Sequence, residues 1–222
     1  GAVLASNTSG LSLAALSAAV PAHLRTRFCG VHFFNPPRYM YLVELIAAPQ
    51  TDAALLDALE TLLTTTVGKG VIRAKDTPNF IANRIGIFSM LATMRHTQTY
   101  GLSFDVVDAL TGPAIGRAKS ATYRTADVVG LDTMAHVVKT MHDTLPDDPW
   151  HDLFATPPVL AALVAQGALG AKTKAGFFRK VGKDIQVLDP AARDYKTAAG
   201  EVAPEVAELA HVVAGEARQI VL

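Results

Sequence analysis

The stretch Gly30-Val31-His32-Phe33-Phe34-Asn35-Pro36-Pro37, with Leu42-Val43-Glu44-Leu45-Ile46 shortly after it, predicts two neighbouring β-strands joined by a turn. Apolar and β-branched residues favour strands on both sides of the turn. The prolines end the first strand, because proline cannot donate a hydrogen bond to a neighbouring strand. His32 and Glu44 lie twelve residues apart, and a hairpin of that size can bring their side chains together.

The residues on either side of this hairpin predict an α/β arrangement. Residues 3–6 form a short apolar run, typical of a buried parallel strand, and residues 71–74 form another strand-like run. Helices are predicted at 11–19 and at 52–66, the second from apolar residues at helical spacing. We therefore predict an α/β domain over residues 1–75.

The sequence changes in character after this point, and helices dominate residues 76–222. A short β-hairpin is predicted at 176–188, just before a closing helix with one apolar face. The fold class is therefore α/β followed by all-α. The helices predicted in the second part span residues 80–100, 104–110, 123–129, 131–144, 158–165 and 205–220.

Composition excludes several classes of protein. Of the 222 residues 50% are hydrophobic and 18% are charged, a balance typical of a folded globular protein. Basic and acidic residues number 20 each, so no excess of positive charge points to a nucleic-acid partner. The single cysteine, Cys29, allows no disulfide framework, and no apolar run is long enough for a membrane span. The histidines show no metal-binding spacing, so we expect no metal site, and we expect a cytoplasmic location.

His32 and Glu44 suggest a chemical role from residue type alone. A histidine is the usual general base near neutral pH. A carboxylate bonded to its far ring nitrogen fixes the tautomer and stabilises the imidazolium that forms. Because such pairs are also frequent as structural contacts, the two residues by themselves leave both interpretations open.

The hairpin resembles the catalytic hairpin of the L-3-hydroxyacyl-CoA dehydrogenase family, in which His-Phe-Phe-Asn-Pro-Pro is followed by Leu-Val-Glu. Residues 6–9 are similar to the family's Ser-Asn-Thr-Ser turn, and residues 76–84 to its Asp-x-Pro-Gly-Phe-Ile-x-Asn-Arg segment. Two later segments, 124–132 and 172–178, match in the same order. The resemblance therefore covers about residues 3–190.

This resemblance implies the distal part of a Rossmann-type NAD-binding domain, followed by a helical domain like the C-terminal domain of 6-phosphogluconate dehydrogenase. It implies that His32 takes the proton of the substrate 3-hydroxyl while C3 passes a hydride to NAD. Glu44 would orient His32. Ser9 and Asn83 would hydrogen-bond the reacting oxygen or the thioester carbonyl, where negative charge develops in the reducing direction.

The resemblance also implies cofactor contacts from Asn7, Ser9 and Asn35, although Ser9 could cap a turn and Asn35 could hold the hairpin turn. The Gly-x-Gly-x-x-Gly loop that binds the pyrophosphate of NAD does not occur in the 222 residues. We therefore expect the chain to be part of a longer polypeptide and to be inactive alone. Asn79 stands where the family has glycine, and asparagine tolerates the left-handed backbone that such a turn needs.

Three interpretations stay open. The first is an enzyme of fatty-acid β-oxidation with an acyl-CoA substrate; the likeness of the hairpin to bacterial multifunctional members suggests a fused enoyl-CoA hydratase domain. The second is a non-catalytic assembly fragment, since the helical half of this family packs against a partner copy in a homodimer. The third is a related NAD-dependent sugar-acid dehydrogenase, such as gulonate dehydrogenase, which shares the His–Glu hairpin.

Overall fold

The structure is a computed structural model that describes residues 2–198 together with 204 and 208. The chain divides into two compact units, Gly1–Gly86 and Ile87–Leu222. The domain limit expected near residue 76 stays a prediction. Apart from residue 208, the closing helix predicted at 205–220 lies outside the described residues.

A four-stranded sheet forms the centre of the first unit. Its first and second strands are parallel, the second and third antiparallel, and the third and fourth parallel. The register of the antiparallel pair sets His32 directly opposite Glu44, so the predicted hairpin is confirmed. In spatial order the strands are β1 (Leu4–Ser6), β2 (Phe28–Phe33), β3 (Leu42–Ala47) and β4 (Gly70–Ala74).

Helices α1 (Leu13–Ala19) and α2 (Ala53–Thr65) pack against this sheet, and a 3-10 helix, Ala22–Arg27, precedes β2. Because successive side chains of a strand point to opposite faces, β2 and β3 contribute to two separate apolar clusters. Leu13 of α1 packs in the cluster that contains Phe28, while α2 packs in the other. By this alternation His32 and Glu44 lie on the same face of the sheet as Phe28, and both are buried.

The second unit is helical with a small antiparallel sheet, as the sequence predicted. Helix α3 (Ala82–Tyr100) begins two residues later than expected, because residues 79 and 80 have left-handed backbone and cannot belong to it. The third strand of the sheet, at residues 194–197, was not predicted, since its residues are polar or exposed. The first residues of α3 belong to the first unit and the rest to the second. The other elements of the second unit are α4 (Phe104–Leu110), α5 (Tyr123–Val129), α6 (Leu131–Thr144), α7 (Pro158–Ala165), β5 (Phe178–Val181), β6 (Asp184–Asp189) and β7 (Asp194–Thr197).

Three aromatic rings form the centre of the second unit's core. The rings of Phe104, Tyr123 and Phe177 lie with centroids 4.4–5.0 Å apart in tilted or edge-to-face arrangements. Such pairs add to the stabilisation that burial of the apolar surface itself supplies. Phe177 comes from the segment just before β5, so these contacts join the small sheet to the helices.

Two buried carboxylates tie distant segments of this unit together. Asp108 accepts hydrogen bonds from the N–H groups of residues 122, 123 and 124, at the start of α5. Asp127 accepts from the N–H groups of Phe177 and Phe178 at 2.9 and 2.8 Å. Asp127 therefore brings together the two later segments, 124–132 and 172–178, that carry the family resemblance.

Close packing around Asp127 makes Gly176 a sensitive position. A Cβ on residue 176 would overlap Asp127 Oδ1, which is held in place by two backbone N–H groups. We expect Gly176→Ala to lower the free energy of unfolding of the second unit by about 1–3 kcal/mol or more, the usual cost of overpacking. Urea unfolding followed by the fluorescence of Trp150, the single tryptophan, measures this change.

A matched control is available in the turn between β5 and β6. Gly182 has a φ of 61°, and a Cβ there meets no atom within 4 Å. Gly182→Ala should therefore cost only the left-handed backbone penalty, roughly 1 kcal/mol. Equal losses in the two variants would contradict the overlap with Asp127.

Asp127 also makes the stability of the second unit depend on pH. Burial raises the pKa of its carboxyl to about 6, despite the two N–H groups that lower it. Between about pH 4 and 6 the folded state then holds more protons than the unfolded state, so stability falls as the pH rises through this window.

Urea unfolding at pH 4 to 7 should show this fall in the free energy of unfolding, and its dependence on pH should have a smaller slope in Asp127→Asn. Asp108, whose pKa burial also raises, acts in the same direction, so some slope should remain. An unchanged slope in Asp127→Asn would refute the assignment.

Candidate active site

The centre of the site is a buried pair on β2 and β3. The Nδ1 atom of His32 lies 2.7 Å from Glu44 Oε2, and the two residues are 4% and 0% exposed. An ionised carboxylate can only accept hydrogen bonds, so the Nδ1 atom must carry the proton. In the neutral imidazole the Nε2 atom then keeps its lone pair, and this tautomer of histidine can accept a proton there.

The second oxygen of Glu44 is held by backbone. Its Oε1 atom accepts hydrogen bonds from the N–H groups of Ile81 and Ala82 at 2.9 and 2.8 Å, where α3 begins. Burial raises the pKa of Glu44, but the hydrogen bonds from His32, Ala82 and Ile81 together outweigh burial, and the pKa lies below its ordinary value. Glu44 is therefore negatively charged at neutral pH although its surface is fully buried.

Two aromatic rings enclose the imidazole. The ring centroids of Phe34 and Phe80 lie 4.5 and 5.8 Å from the centroid of the His32 ring, and both rings are tilted relative to it. Phe80 follows Asn79, and the two residues have φ angles of 49° and 59°. The expectation that asparagine would accept the left-handed backbone at position 79 is thus confirmed.

Ser9 and Asn83, the other predicted catalytic residues, lie next to each other. The Nδ2 atom of Asn83 donates to the backbone oxygen of Ser9 at 3.4 Å. Gly10, the residue after Ser9, lies close to Asn79, because a Cβ on Gly10 would lie 3.1 Å from Asn79 Oδ1. The structure thus brings both residues to the segment that binds Glu44, while their catalytic roles stay predictions.

The predicted cofactor contacts fall at the end of the parallel pair β1–β2. Asn7 Oδ1 accepts the backbone N–H of Phe33 at 2.9 Å, so this side chain ties the ends of β1 and β2 together. Asn35 is exposed in the turn after β2, next to a cis peptide bond with Pro36. Contacts of Asn7, Ser9 and Asn35 with a cofactor remain predictions.

Two family models cover most of the chain. The model described as "3-hydroxyacyl-CoA dehydrogenase, NAD binding domain" matches residues 1–77. The model described as "3-hydroxyacyl-CoA dehydrogenase, C-terminal domain" matches residues 80–180. The chain belongs to the 3-hydroxyacyl-CoA dehydrogenase family. The family resemblance and the fold class that the sequence predicted are therefore confirmed.

Individual members of the 3-hydroxyacyl-CoA dehydrogenase family are similar over most of the chain. A "Probable 3-hydroxyacyl-CoA dehydrogenase" of Bacillus subtilis is 43% identical over 195 residues, 88% of this chain and 25% of that protein. One of Deinococcus radiodurans is 42% identical over 179 residues, 81% of this chain and 51% of that protein. The crystal structure of FadB2 from M. tuberculosis superposes with a TM-score of 0.70 at 31% identity, covering 81% of this chain and 61% of that one. The chain thus spans a quarter to about half the length of these curated relatives.

One residue of the family's Asp-x-Pro segment has a role that sequence reasoning missed. Asp76 accepts hydrogen bonds from the N–H groups of Leu13 and Ala14, each at 2.8 Å, and from the hydroxyl of Ser12 at 2.9 Å. A carboxylate at a helix N-terminus satisfies donors that have no partner within the helix. Asp76 therefore holds the start of α1, directly after the turn with Ser9. The only signal in the sequence was that Asp76 belongs to a family-like segment.

Within residues 2–198, 204 and 208, no group of three or more histidine, cysteine or acidic side chains could hold a metal ion. No helix in this part of the chain is both long enough and apolar enough to cross a membrane.

The tautomer of His32 can be tested directly. In Glu44→Gln the amide nitrogen can donate to Nδ1, so the proton of the imidazole should move to Nε2. We expect 15N chemical shifts of the imidazole to show an Nδ1–H tautomer in the unchanged chain and an Nε2–H tautomer in Glu44→Gln. Glu60→Gln is a matched control, because Glu60 pairs with Arg73 at an exposed site and should leave His32 unchanged. An Nδ1–H tautomer retained in Glu44→Gln would show that Glu44 does not set it.

Proposed function

We propose that the protein to which these residues belong oxidises the 3-hydroxyl of an L-3-hydroxyacyl-CoA to a 3-ketoacyl-CoA, as a step of fatty-acid β-oxidation. The observation that carries this proposal is the buried His32–Glu44 pair, whose geometry leaves Nε2 as a proton acceptor. Membership of the 3-hydroxyacyl-CoA dehydrogenase family supports the choice of reaction and substrate.

His32 acts in this proposal as the general base. Its Nε2 atom takes the proton of the 3-hydroxyl, and the ring becomes an imidazolium. The negative charge of Glu44 at 2.7 Å then stabilises that cation, more strongly than it would in water because both groups are buried. In the reducing direction the same atom returns the proton to the carbonyl oxygen.

Ser9 and Asn83 are proposed to bind the substrate oxygens. Their proximity, with Asn83 Nδ2 3.4 Å from the Ser9 backbone oxygen, supports a common site for them. An amide and a hydroxyl can both donate a hydrogen bond to an oxygen that gains negative charge. Such donors stabilise the transition state more than the ground state. We also propose that Asn7, Ser9 and Asn35 lie near the cofactor, although Asn7 Oδ1 is already bonded to the backbone of Phe33.

NAD is the proposed oxidant, and when bound it supplies the acceptor for the hydride from C3. The described residues do not form a complete dinucleotide site, because the 222 residues lack the glycine-rich phosphate loop. Consistent with this, β1 is an edge strand of the described sheet. The side chains of Val3 and Leu4 are 37% and 44% exposed. We propose that the phosphate contacts come from residues beyond these 222, and that the chain by itself is a non-catalytic fragment.

We further propose that an enoyl-CoA hydratase domain is fused to this module in the parent protein. In support, a "Putative fatty acid oxidation complex trifunctional enzyme" of Rickettsia felis is 34% identical over 179 residues, 80% of this chain and 25% of that protein. A homodimer and a cytoplasmic location remain predictions.

The reaction is tested by following the loss of NADH with acetoacetyl-CoA in the full-length protein. His32→Gln should lower kcat/KM by about 100-fold or more, because glutamine cannot accept or return the proton. His23→Gln provides the matched control, since His23 is exposed and lies outside the site. The 222-residue chain alone should neither turn over substrate nor bind NADH.

Other outcomes would select among the alternatives. No turnover of acetoacetyl-CoA or of a longer 3-ketoacyl-CoA would reject the acyl-CoA substrate. Oxidation of L-gulonate by the same preparation would then favour the sugar-acid dehydrogenase. No activity on either class would favour the assembly role.

A further inference from the structure

The chain makes an unusual corner just before α3. Asn79 and Phe80 have consecutive φ angles of 59° and 49°, in the left-handed region. A bulky aromatic residue is rarely found there, because its Cβ crowds the following carbonyl oxygen. Both residues are buried, at 4% and 2% exposure, so the conformation is held by its surroundings.

The corner decides where the next two amides point. Directly after it, the N–H groups of Ile81 and Ala82 converge on one atom, Glu44 Oε1, at 2.9 and 2.8 Å. Amides in the first turn of a helix have no partner within the helix, so they are free to bind another acceptor. Their convergence holds the Glu44 carboxylate in one orientation, with its other oxygen on His32 Nδ1.

The amide nitrogen of Asn79 offers no other reason for the corner. Its Nδ2 atom is buried and has no hydrogen-bond partner within the described residues. A buried donor without a partner is unfavourable, so the amide itself does not stabilise the turn. What asparagine supplies is its tolerance of left-handed backbone.

We propose that the Asn79–Phe80 corner is a positioning element, which aims the Ile81 and Ala82 amides at Glu44 and thereby holds the Glu44 carboxylate on His32 Nδ1. The corner also sets the ring of Phe80 beside the imidazole, with centroids 5.8 Å apart. Its use in proton transfer rests on the function proposed above, whereas its effect on the His32–Glu44 pair does not.

Backbone strain placed beside a reacting group is a known way to pre-organise a site. The competing explanation is that the corner only joins the sheet to α3. A structural joint would stabilise the whole first unit equally. A positioning element would stabilise only the hydrogen bonds that meet at Glu44. It would leave the solvent exchange of the β2 and β3 amides unchanged.

Asn79→Gly and Asn79→Ala form a matched pair of variants. Both delete the unpartnered amide, and they differ only in the Cβ that disfavours the left-handed backbone. The measurement is the solvent-exchange rate of the His32 Nδ1 proton by NMR, which reports how often the pair opens. We expect this rate to be about 5- to 30-fold faster in Asn79→Ala than in Asn79→Gly, from the penalty for a Cβ in this conformation.

The exchange of the strand amides at Val31 and Leu45 separates the two explanations. Unchanged strand exchange, with faster exchange at His32 Nδ1, Ile81 and Ala82, supports positioning. Equal rates in the two variants, or equal acceleration at every one of these sites, would overturn it. The measurement needs no turnover, so a failure of the acyl-CoA reaction and a failure of this proposal remain distinguishable.

Discussion

A single buried carboxylate organises the first unit of this protein. Glu44 has no exposed surface, and its two oxygens bind His32 on one side and the start of α3 on the other. A buried charge is tolerable only when hydrogen bonds replace the water that it has lost. The chain must therefore bring both sets of donors to Glu44, and doing so places the imidazole and the first turn of α3 in contact with the same residue.

Carboxylates bind backbone N–H groups in the same way elsewhere in the chain. Asp76 holds the start of α1, Asp108 holds the start of α5, and Asp127 holds the two amides that lead into β5. In each case a carboxylate satisfies backbone N–H groups far away in the sequence. Three of these four carboxylates, Glu44, Asp76 and Asp127, fall in segments that resemble the family. A family-like segment in this chain is thus often one end of a long-range contact.

Much of the candidate site could be predicted from local sequence. The alternation of apolar residues and the prolines at 36 and 37 predict the hairpin, and a hairpin can set His32 near Glu44, while the observed register sets them directly opposite. The contacts of Asp76 and of the Ile81 and Ala82 amides could not be predicted in this way. They join residues 37 to 64 positions apart, and local periodicity carries no information at that distance.

The sequence by itself determined the two strands, the possibility of a His–Glu pair and the left-handed tolerance at Asn79, because each depends on residue type and near neighbours. Only the tertiary structure decided that Phe80 is left-handed too, and that the amides after it converge on Glu44. Propensity argues against a left-handed phenylalanine. The surrounding contacts outweigh that preference, because the buried charge of Glu44 needs donors, and only the folded chain brings the start of α3 to it.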